Sequence, residues 1–172
     1  MKHGCALVLL AACGASGHPD APRTEVPASL ARTWQYSHLS SLENCDELGR
    51  CEPAYGFIET YRFEADGHFA YAQLYKQNVG NCKQASTIDA SGGMTVEGAT
   101  LTFYFTSARQ THTDTCAPSK DFDLEPEISP SSCTYSVQSG SDGPLLGLAG
   151  ADGELSKDPL GQSIVYGVTS AW

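Results

Sequence analysis

The chain has 172 residues, of which 41% are hydrophobic and 17% are charged, so it is long enough for one globular domain and too short for two of ordinary size. Ten Lys and Arg residues against twenty Asp and Glu residues leave a formal net charge of −10. This charge repels phosphate backbones and anionic lipid headgroups, which argues against nucleic-acid binding. The longest apolar run, Cys5–Ala12, is far shorter than the roughly 20 residues that a membrane-spanning helix needs.

The first twelve residues have the layout of an export signal, in which Lys2 precedes the apolar segment Cys5–Leu10 and small residues follow at once. The junction Leu10-Ala11-Ala12-Cys13 resembles the lipobox of bacterial lipoproteins. This resemblance implies cleavage before Cys13 and a diacylglycerol group on its sulfur, and the acyl chains would hold the protein on a membrane. It also implies an extracytoplasmic location. Gly14 stands where lipoproteins of the inner membrane commonly carry Asp, so the outer membrane is expected if the organism has two membranes.

Residues 13–29 are predicted to be a lipidated Cys followed by a disordered, flexible tether. The stretch from Gly14 to Ser29 contains three prolines, and Val26 is its one large apolar residue. Such a segment cannot bury enough surface to offset its ordering entropy. We therefore expect a signal peptide over residues 1–12, the lipidated Cys and tether over 13–29, and a folded domain over 30–172.

The clearest secondary-structure signal is a β-hairpin. Two runs rich in aromatic and β-branched residues, 57–63 and 69–75, flank a turn that contains Asp66-Gly67. If Phe63 and Phe69 lie opposite each other, strand alternation produces one aromatic face with two polar insertions. The residues of that face are Phe57, Glu59, Tyr61, Phe63, Phe69, Tyr71, Gln73 and Tyr75.

Further short strands are predicted along the rest of the chain, over 94–96, 100–106, 133–138, 145–148 and 163–169. About seven to eight short antiparallel strands with Gly-containing turns, and no repeated helical pattern between them, predict an all-β domain. A closed barrel is favoured over a sandwich because closure leaves no open strand edge.

Three features resemble the lipocalin-like, or calycin-like, small bacterial lipoproteins. They are Trp34 in the first strand, the F-x-x-D-G-x-F hairpin of Phe63 to Phe69, and the G-x-T-V-x-G-x-x-L-x-F pattern of Gly93 to Phe103. The resemblance implies a small antiparallel up-and-down barrel, with Trp34 as a plug at the closed end. It also implies that the barrel binds a small apolar ligand.

Five cysteines remain beyond Cys13, and an exported location favours disulfides. Cys45 and Cys51 are expected to close a local loop, and a bond between Cys116 and Cys133 would pin the acidic segment between them. The competing pairing joins Cys82 to Cys116. Because five is an odd number, one thiol is left over, and the favoured pairings leave Cys82.

No metal site is predicted, although two segments are weak candidates. His112, Asp114 and Cys116 alternate along the chain and would present N, O and S ligands on one side of a strand, but a fourth ligand is not evident. A disulfide beside a solvated His and Asp is the preferred interpretation. The segment Asp121–Glu127 carries four carboxylates but lacks the glycine and spacing of a calcium loop, and is interpreted as a solvated acidic loop.

The protein is predicted to be noncatalytic and to need no cofactor. The sequence has no Ser between glycines at elbow spacing, no Cys with activating neighbours and no phosphate-binding glycine loop.

The functional clue is therefore the polar residues on the aromatic face. A carboxylate such as that of Glu59 is costly inside a barrel unless it is paired or reached by water or a ligand. The candidate ligand-binding residues are Trp34, Glu59, Tyr61, Tyr71, Gln73 and Tyr135. Two alternatives stay open: a filled barrel that serves as a structural or protein-interaction module of the cell envelope and, less favoured, a metal-handling protein.

Overall fold

The computed structural model describes residues 21–40, 55–159 and 161–169. These residues form the strands β1 Thr33–Ser40, β2 Tyr55–Phe63, β3 His68–Val79, β4 Cys82–Glu97, β5 Thr100–Asp114, β6 Phe122–Leu124, β7 Ser131–Gly140, β8 Gly143–Ala149 and β9 Val165–Val168. A 3-10 turn, Pro118–Lys120, precedes β6. Over the described residues we find no helix with the length and apolar character needed to cross a membrane. The predicted signal peptide, Cys13 and the pair Cys45 and Cys51 lie outside the described residues.

The strands form one antiparallel sheet that closes into a barrel-like ring of eight. Strands β1 to β5 pair in chain order, β5 then pairs with β7, and β7, β8 and β9 lead back to β1. Strand β6 pairs with the part of β5 beyond its contact with β7. The predicted all-β, antiparallel up-and-down architecture is therefore confirmed.

The predicted hairpin is also confirmed in its register. Phe63 lies opposite Phe69, and Tyr61 lies opposite Tyr71. Gly67 in the turn has a φ of 84°, and a Cβ there would lie 2.6 Å from the carbonyl oxygen of Thr24. A residue with a side chain would meet both a backbone penalty and a clash at this position.

Strands β3, β4 and β5 are much longer than predicted, with 12, 16 and 15 residues. The sequence predicts strands that end at 75, begin at 94 and end at 106. Residues of low β-propensity stand beyond the first two limits, namely Lys76, Asn78, Gly92 and Gly93. Cross-strand hydroxyl pairs hold the added length, such as Thr87 with Thr111 at 2.7 Å and Ser91 with Ser107 at 2.8 Å.

The ring has two ends that differ in how they are closed. The lower end carries the turns from β2 to β3, from β4 to β5 and from β7 to β8, and the upper end carries the β3–β4 turn and the β8–β9 connection. Trp34 is fully buried near the lower end, where its indole N–H donates to the carbonyl of Leu30 at 2.9 Å. Its predicted role as a plug at the closed end fits this placement.

Residues 21–31 cross the lower end, and we call them the N-terminal strap. The N–H of Thr24 donates to the carbonyl of Met94 at 3.1 Å, and the N–H of Val26 donates to that of Ala65 at 3.0 Å. The side chains of Val26 and Leu30 are buried. The predicted tether therefore ends earlier than residue 29, because two apolar side chains and paired backbone groups fix this stretch on the ring.

Among the described residues, a disulfide joins Cys82 to Cys116, with 5.3 Å between their Cα atoms, and Cys133 is free and buried. The favoured prediction of a Cys116–Cys133 bond, with Cys82 left over, is wrong, and the competing pairing is correct. The reason lies in the strands: Cys133 pairs with Leu101 near the start of β5, whereas Cys116 follows the end of β5, next to the start of β4.

Candidate functional site

The centre of the ring contains a buried carboxyl group, that of Glu59. The side chain faces inward, as predicted, and is 3% exposed. The hydroxyl of Tyr71 donates to Oε1 at 2.7 Å, and the hydroxyl of Tyr166 donates to Oε2 at 2.8 Å. Burial raises the pKa of Glu59, and these two hydrogen bonds oppose part of the rise. Both oxygens therefore have partners within the protein.

Three of the predicted ligand-binding residues belong instead to the closed core. Trp34, Tyr61 and Tyr71 are each at most 2% exposed, so a ligand cannot reach them without unpacking the core. The ring of Tyr61 packs 4.8 Å from that of Tyr71 and 5.8 Å from that of Phe103, measured between centroids. Their aromatic character reflects core packing and not ligand recognition.

The last two predicted residues, Gln73 and Tyr135, stay partly exposed but lie apart from each other in the sheet. Gln73 pairs in register with Glu59 on β3. Tyr135 lies on β7, where its backbone N–H donates to the carbonyl of Ala99 in the β4–β5 turn at 2.8 Å. The hydroxyls that bond to Glu59 belong instead to Tyr71 and Tyr166.

Above Glu59, the inward-facing positions change character, and we call this region the upper interior. Strand register places nine partly exposed residues of this region on the same face as Glu59, beside the buried Tyr55, Phe57 and Asp114. They combine aromatic rings with amides, hydroxyls and imidazoles: Tyr36, His38, Gln73, Tyr75, Gln77, Gln84, Ser86, Gln110 and His112. Solvent therefore reaches between the walls here, in contrast to the filled lower half.

A line of hydrogen bonds crosses the long strands in this region. The hydroxyl of Tyr75 donates to Gln77, the amide of Gln77 donates to Gln84, and the amide of Gln84 donates to Asp114 at 2.8 Å. The N–H of Cys116 also donates to Asp114, at 2.9 Å, and these hydrogen bonds lower the pKa of that carboxyl. This line of hydrogen bonds thus ends at Asp114, which is linked in turn to the backbone of the disulfide residue Cys116.

On the other side of the upper interior, the β8–β9 connection contributes a buried carboxylate. Asp158 is 4% exposed, and its Oδ2 accepts hydrogen bonds from the Tyr36 hydroxyl at 3.1 Å and from Nδ1 of His38 at 2.9 Å. The N–H of Gln162 donates to Oδ1 at 2.9 Å. Burial, reinforced by Asp158, raises the pKa of Tyr36 to about 12. We call Tyr36, His38, Tyr55 and Asp158 the upper cluster.

Asp158 could not be predicted from the sequence, because its position depends on the path of an irregular connection. Tyr36 and His38 could have been found, since they alternate with Trp34 along β1 and so face inward with it. Tyr166 could have been found in the same way, from its alternation with the buried Ile164.

The structure contradicts the weak metal candidate formed by His112, Asp114 and Cys116. The sulfur of Cys116 is bound to Cys82, and Nδ1 of His112 lies 2.8 Å from the hydroxyl of Ser86. A disulfide sulfur is not a thiolate ligand. The metal-handling alternative therefore loses its ligand set.

Two other acidic regions, the segment Asp121–Glu127 and the β2–β3 turn, form contacts with arginine side chains. In the acidic segment, Asp123 accepts two hydrogen bonds from Arg109, at 2.9 and 2.6 Å. Ligand atoms of Glu64, Asp66 and His68 all lie within 4.8 Å of one another in the β2–β3 turn. Arg62 contacts Glu64, however, and Arg23 contacts His68, so guanidinium groups already occupy this cluster.

Comparison of the chain with protein-family models, with curated proteins and with solved structures yields no match.

Proposed function

We propose that this chain is a membrane-anchored, extracytoplasmic lipoprotein that binds a small molecule in its upper interior and catalyses no reaction. The observation that carries the binding role is the contrast along the ring: inward-facing side chains below Glu59 are mostly buried, whereas most of those above it are partly exposed. Tyrosine rings in the upper interior offer contact to an apolar body, and amides and hydroxyls offer hydrogen bonds that would orient it.

The binding role is tested by native mass spectrometry of the protein purified from its own envelope, which detects a small molecule that co-purifies. We expect a bound mass that is lost on unfolding. Ser86→Trp, which places an indole in the upper interior, should abolish that mass. Lys83→Trp, on the exposed outer face of the same strand, is the matched control and should retain it. A clean apo mass for the wild type would contradict the binding role.

The anchor rests on the lipobox resemblance at Cys13 and has its own test. Cys13→Ser should leave the protein in the soluble fraction without an acyl mass, whereas Cys5→Ser, a change within the predicted signal, should leave membrane fractionation intact. A Cys13→Ser protein that still fractionates with membranes, beside a wild type without acyl mass, would contradict the anchor.

An envelope interaction module is the second candidate function, and one observation favours it. Phe122 and Leu124 on the short strand β6 are 39% and 41% exposed, beside a strand edge that has no partner in the described residues. Exposed apolar side chains at an open strand edge are a typical docking site for another chain. A clean apo mass together with a co-purifying envelope protein would support this function.

A further inference from the structure

The upper cluster contains a polar atom that the described part of the protein leaves unsatisfied, the hydroxyl of Tyr55. The side chain is 7% exposed, and no described residue forms a hydrogen bond with this hydroxyl. A buried polar group without a partner costs free energy, so its presence calls for an explanation. The carboxyl of Glu59, by contrast, is equally enclosed but has two hydroxyl partners.

The surroundings of this hydroxyl are aromatic and acidic. Tyr55 lies on the inward face of β2, with its ring centroid 5.5 Å from His38 and 5.4 Å from Tyr75 in edge-to-face arrangements. Burial raises the pKa of Tyr55, and the nearby Asp158 carboxylate raises it further. The unsatisfied hydroxyl therefore shares its environment with a buried negative charge.

The charges that face this region favour a cation over an anion. None of the inward-facing strand positions in the described residues carries Lys or Arg, whereas Asp114 and Asp158 contribute carboxylates there. The faces of tyrosine rings are themselves electron-rich and attract cations. The chain as a whole carries a net charge of −10, which draws cationic ligands toward it.

We propose that the upper cluster binds the protonated amino group of a small organic amine, with the Asp158 carboxylate as counter-charge and the Tyr55 hydroxyl as hydrogen-bond acceptor. This inference rests on the proposed function, since it names the ligand class of the upper interior. Both groups are enclosed, so the amine reaches them only when the side chains of the upper cluster move apart. Its ammonium N–H would then supply the partner that the Tyr55 hydroxyl lacks. The rings of Tyr36 and Tyr75 would contact the apolar body of the amine.

The test compares three probes of similar size by titration calorimetry on the full chain at neutral pH: 2-phenylethylammonium, neutral 2-phenylethanol and anionic 3-phenylpropionate. We expect the cation to bind about tenfold or more tightly than the neutral probe, which corresponds to about 1.4 kcal/mol. The anion should show no measurable binding. Asp158→Asn should remove the preference for the cation.

Asp158 also holds the β8–β9 connection through Tyr36, His38 and Gln162, so its replacement can loosen the fold. Tyr55→Phe avoids this difficulty, because it deletes a hydroxyl without a partner. We expect this variant to unfold at the wild-type temperature or above while the cation binds several-fold more weakly. Tyr104→Phe, which changes a hydroxyl on the outward face of β5, is the matched control and should bind as the wild type does.

The outcomes separate this inference from the proposed function. Equal binding of the charged and neutral probes, both blocked by Ser86→Trp, would overturn the amine proposal and leave the binding role standing. Unchanged cation affinity in Tyr55→Phe and in a folded Asp158→Asn would also overturn it. No binding of any probe at millimolar concentration, together with a clean apo mass, would overturn both proposals.

Discussion

The lower and upper halves of the ring are built from the same strands but filled in different ways. Below Glu59, inward positions carry Trp, Phe, Met and Leu side chains that are almost wholly buried, and the N-terminal strap closes the end. Above it, most inward positions carry Tyr, Gln, Ser and His side chains that solvent still reaches, although Tyr55 and Phe57 are buried. The difference indicates that the lower half supplies most of the stability, whereas the proposed binding role falls on the upper half, so each should be alterable with limited effect on the other.

The largest expected effect comes from a core truncation in the lower half. The ring of Phe103 packs on those of Phe63 and Phe69, with centroids 6.0 and 5.0 Å away. Phe103→Ala should lower the free energy of unfolding by about 3–5 kcal/mol, measured by urea denaturation. Phe122→Ala, at a side chain that is 39% exposed in the upper half, should cost about 1 kcal/mol or less. Equal losses of unfolding free energy in the two variants would contradict the proposed difference between the lower and upper halves.

The second effect is the loss of stability expected when the disulfide of the upper half is removed. Cys82 and Cys116 are 34 residues apart, and constraint of such a loop is worth about 3–4 kcal/mol in the chain-entropy model. Replacing both with Ser should lower stability by up to that amount. Hydrogen exchange should quicken at the β3–β4 turn and leave the lower core protected. Fast exchange at Leu101 and Phe103 instead would show that the halves are not separate.

The smallest effect is a pH dependence at the boundary between the halves. Because the folded-state pKa of Glu59 is raised, its contribution to stability is full below the unfolded pKa, about 4.3, and is lost as pH rises through the folded pKa. The wild type should lose at most about 1.4 kcal/mol per pH unit in that window. Glu59→Gln should flatten this slope and be the more stable protein at pH 8. Glu97→Gln, at an exposed position, should leave the slope unchanged; a Glu59→Gln slope like that of the wild type would contradict the assignment.

Much of the lower half could be predicted from the sequence, because apolar inward residues and more polar outward residues alternate there along each strand. Phe63 opposite Phe69 and the inward set of Leu101, Phe103 and Phe105 follow from period-two patterning and a Gly turn. In the upper half, inward and outward positions are both polar, so alternation carries no signal. The sequence does not predict the extensions of β3, β4 and β5 for this reason. The Cys116–Cys133 prediction rests on the acidic segment that these cysteines bracket, whereas the added length of β4 and β5 brings Cys82 to Cys116.

Of the candidate site, only the residues at its lower boundary could be predicted from the sequence. Glu59 and Gln73 were placed correctly because they interrupt an aromatic face. Asp158 depends on the irregular path of the β8–β9 connection, which has no periodicity to read. The unsatisfied hydroxyl of Tyr55 is likewise a property of three-dimensional packing, since the sequence shows a tyrosine but not the absence of its partner.

The N-terminal strap also fixes which way the domain would point. The chain reaches the ring at its lower end, and the residues between Cys13 and residue 21, even fully extended, span at most roughly 30 Å. If Cys13 carries the proposed lipid, this short connection would place the plugged end nearer the bilayer and the upper cluster farther from it. A ligand would then enter from the aqueous compartment. To take a molecule directly from the lipid layer, the whole domain would have to reorient about the short segment between Cys13 and residue 21.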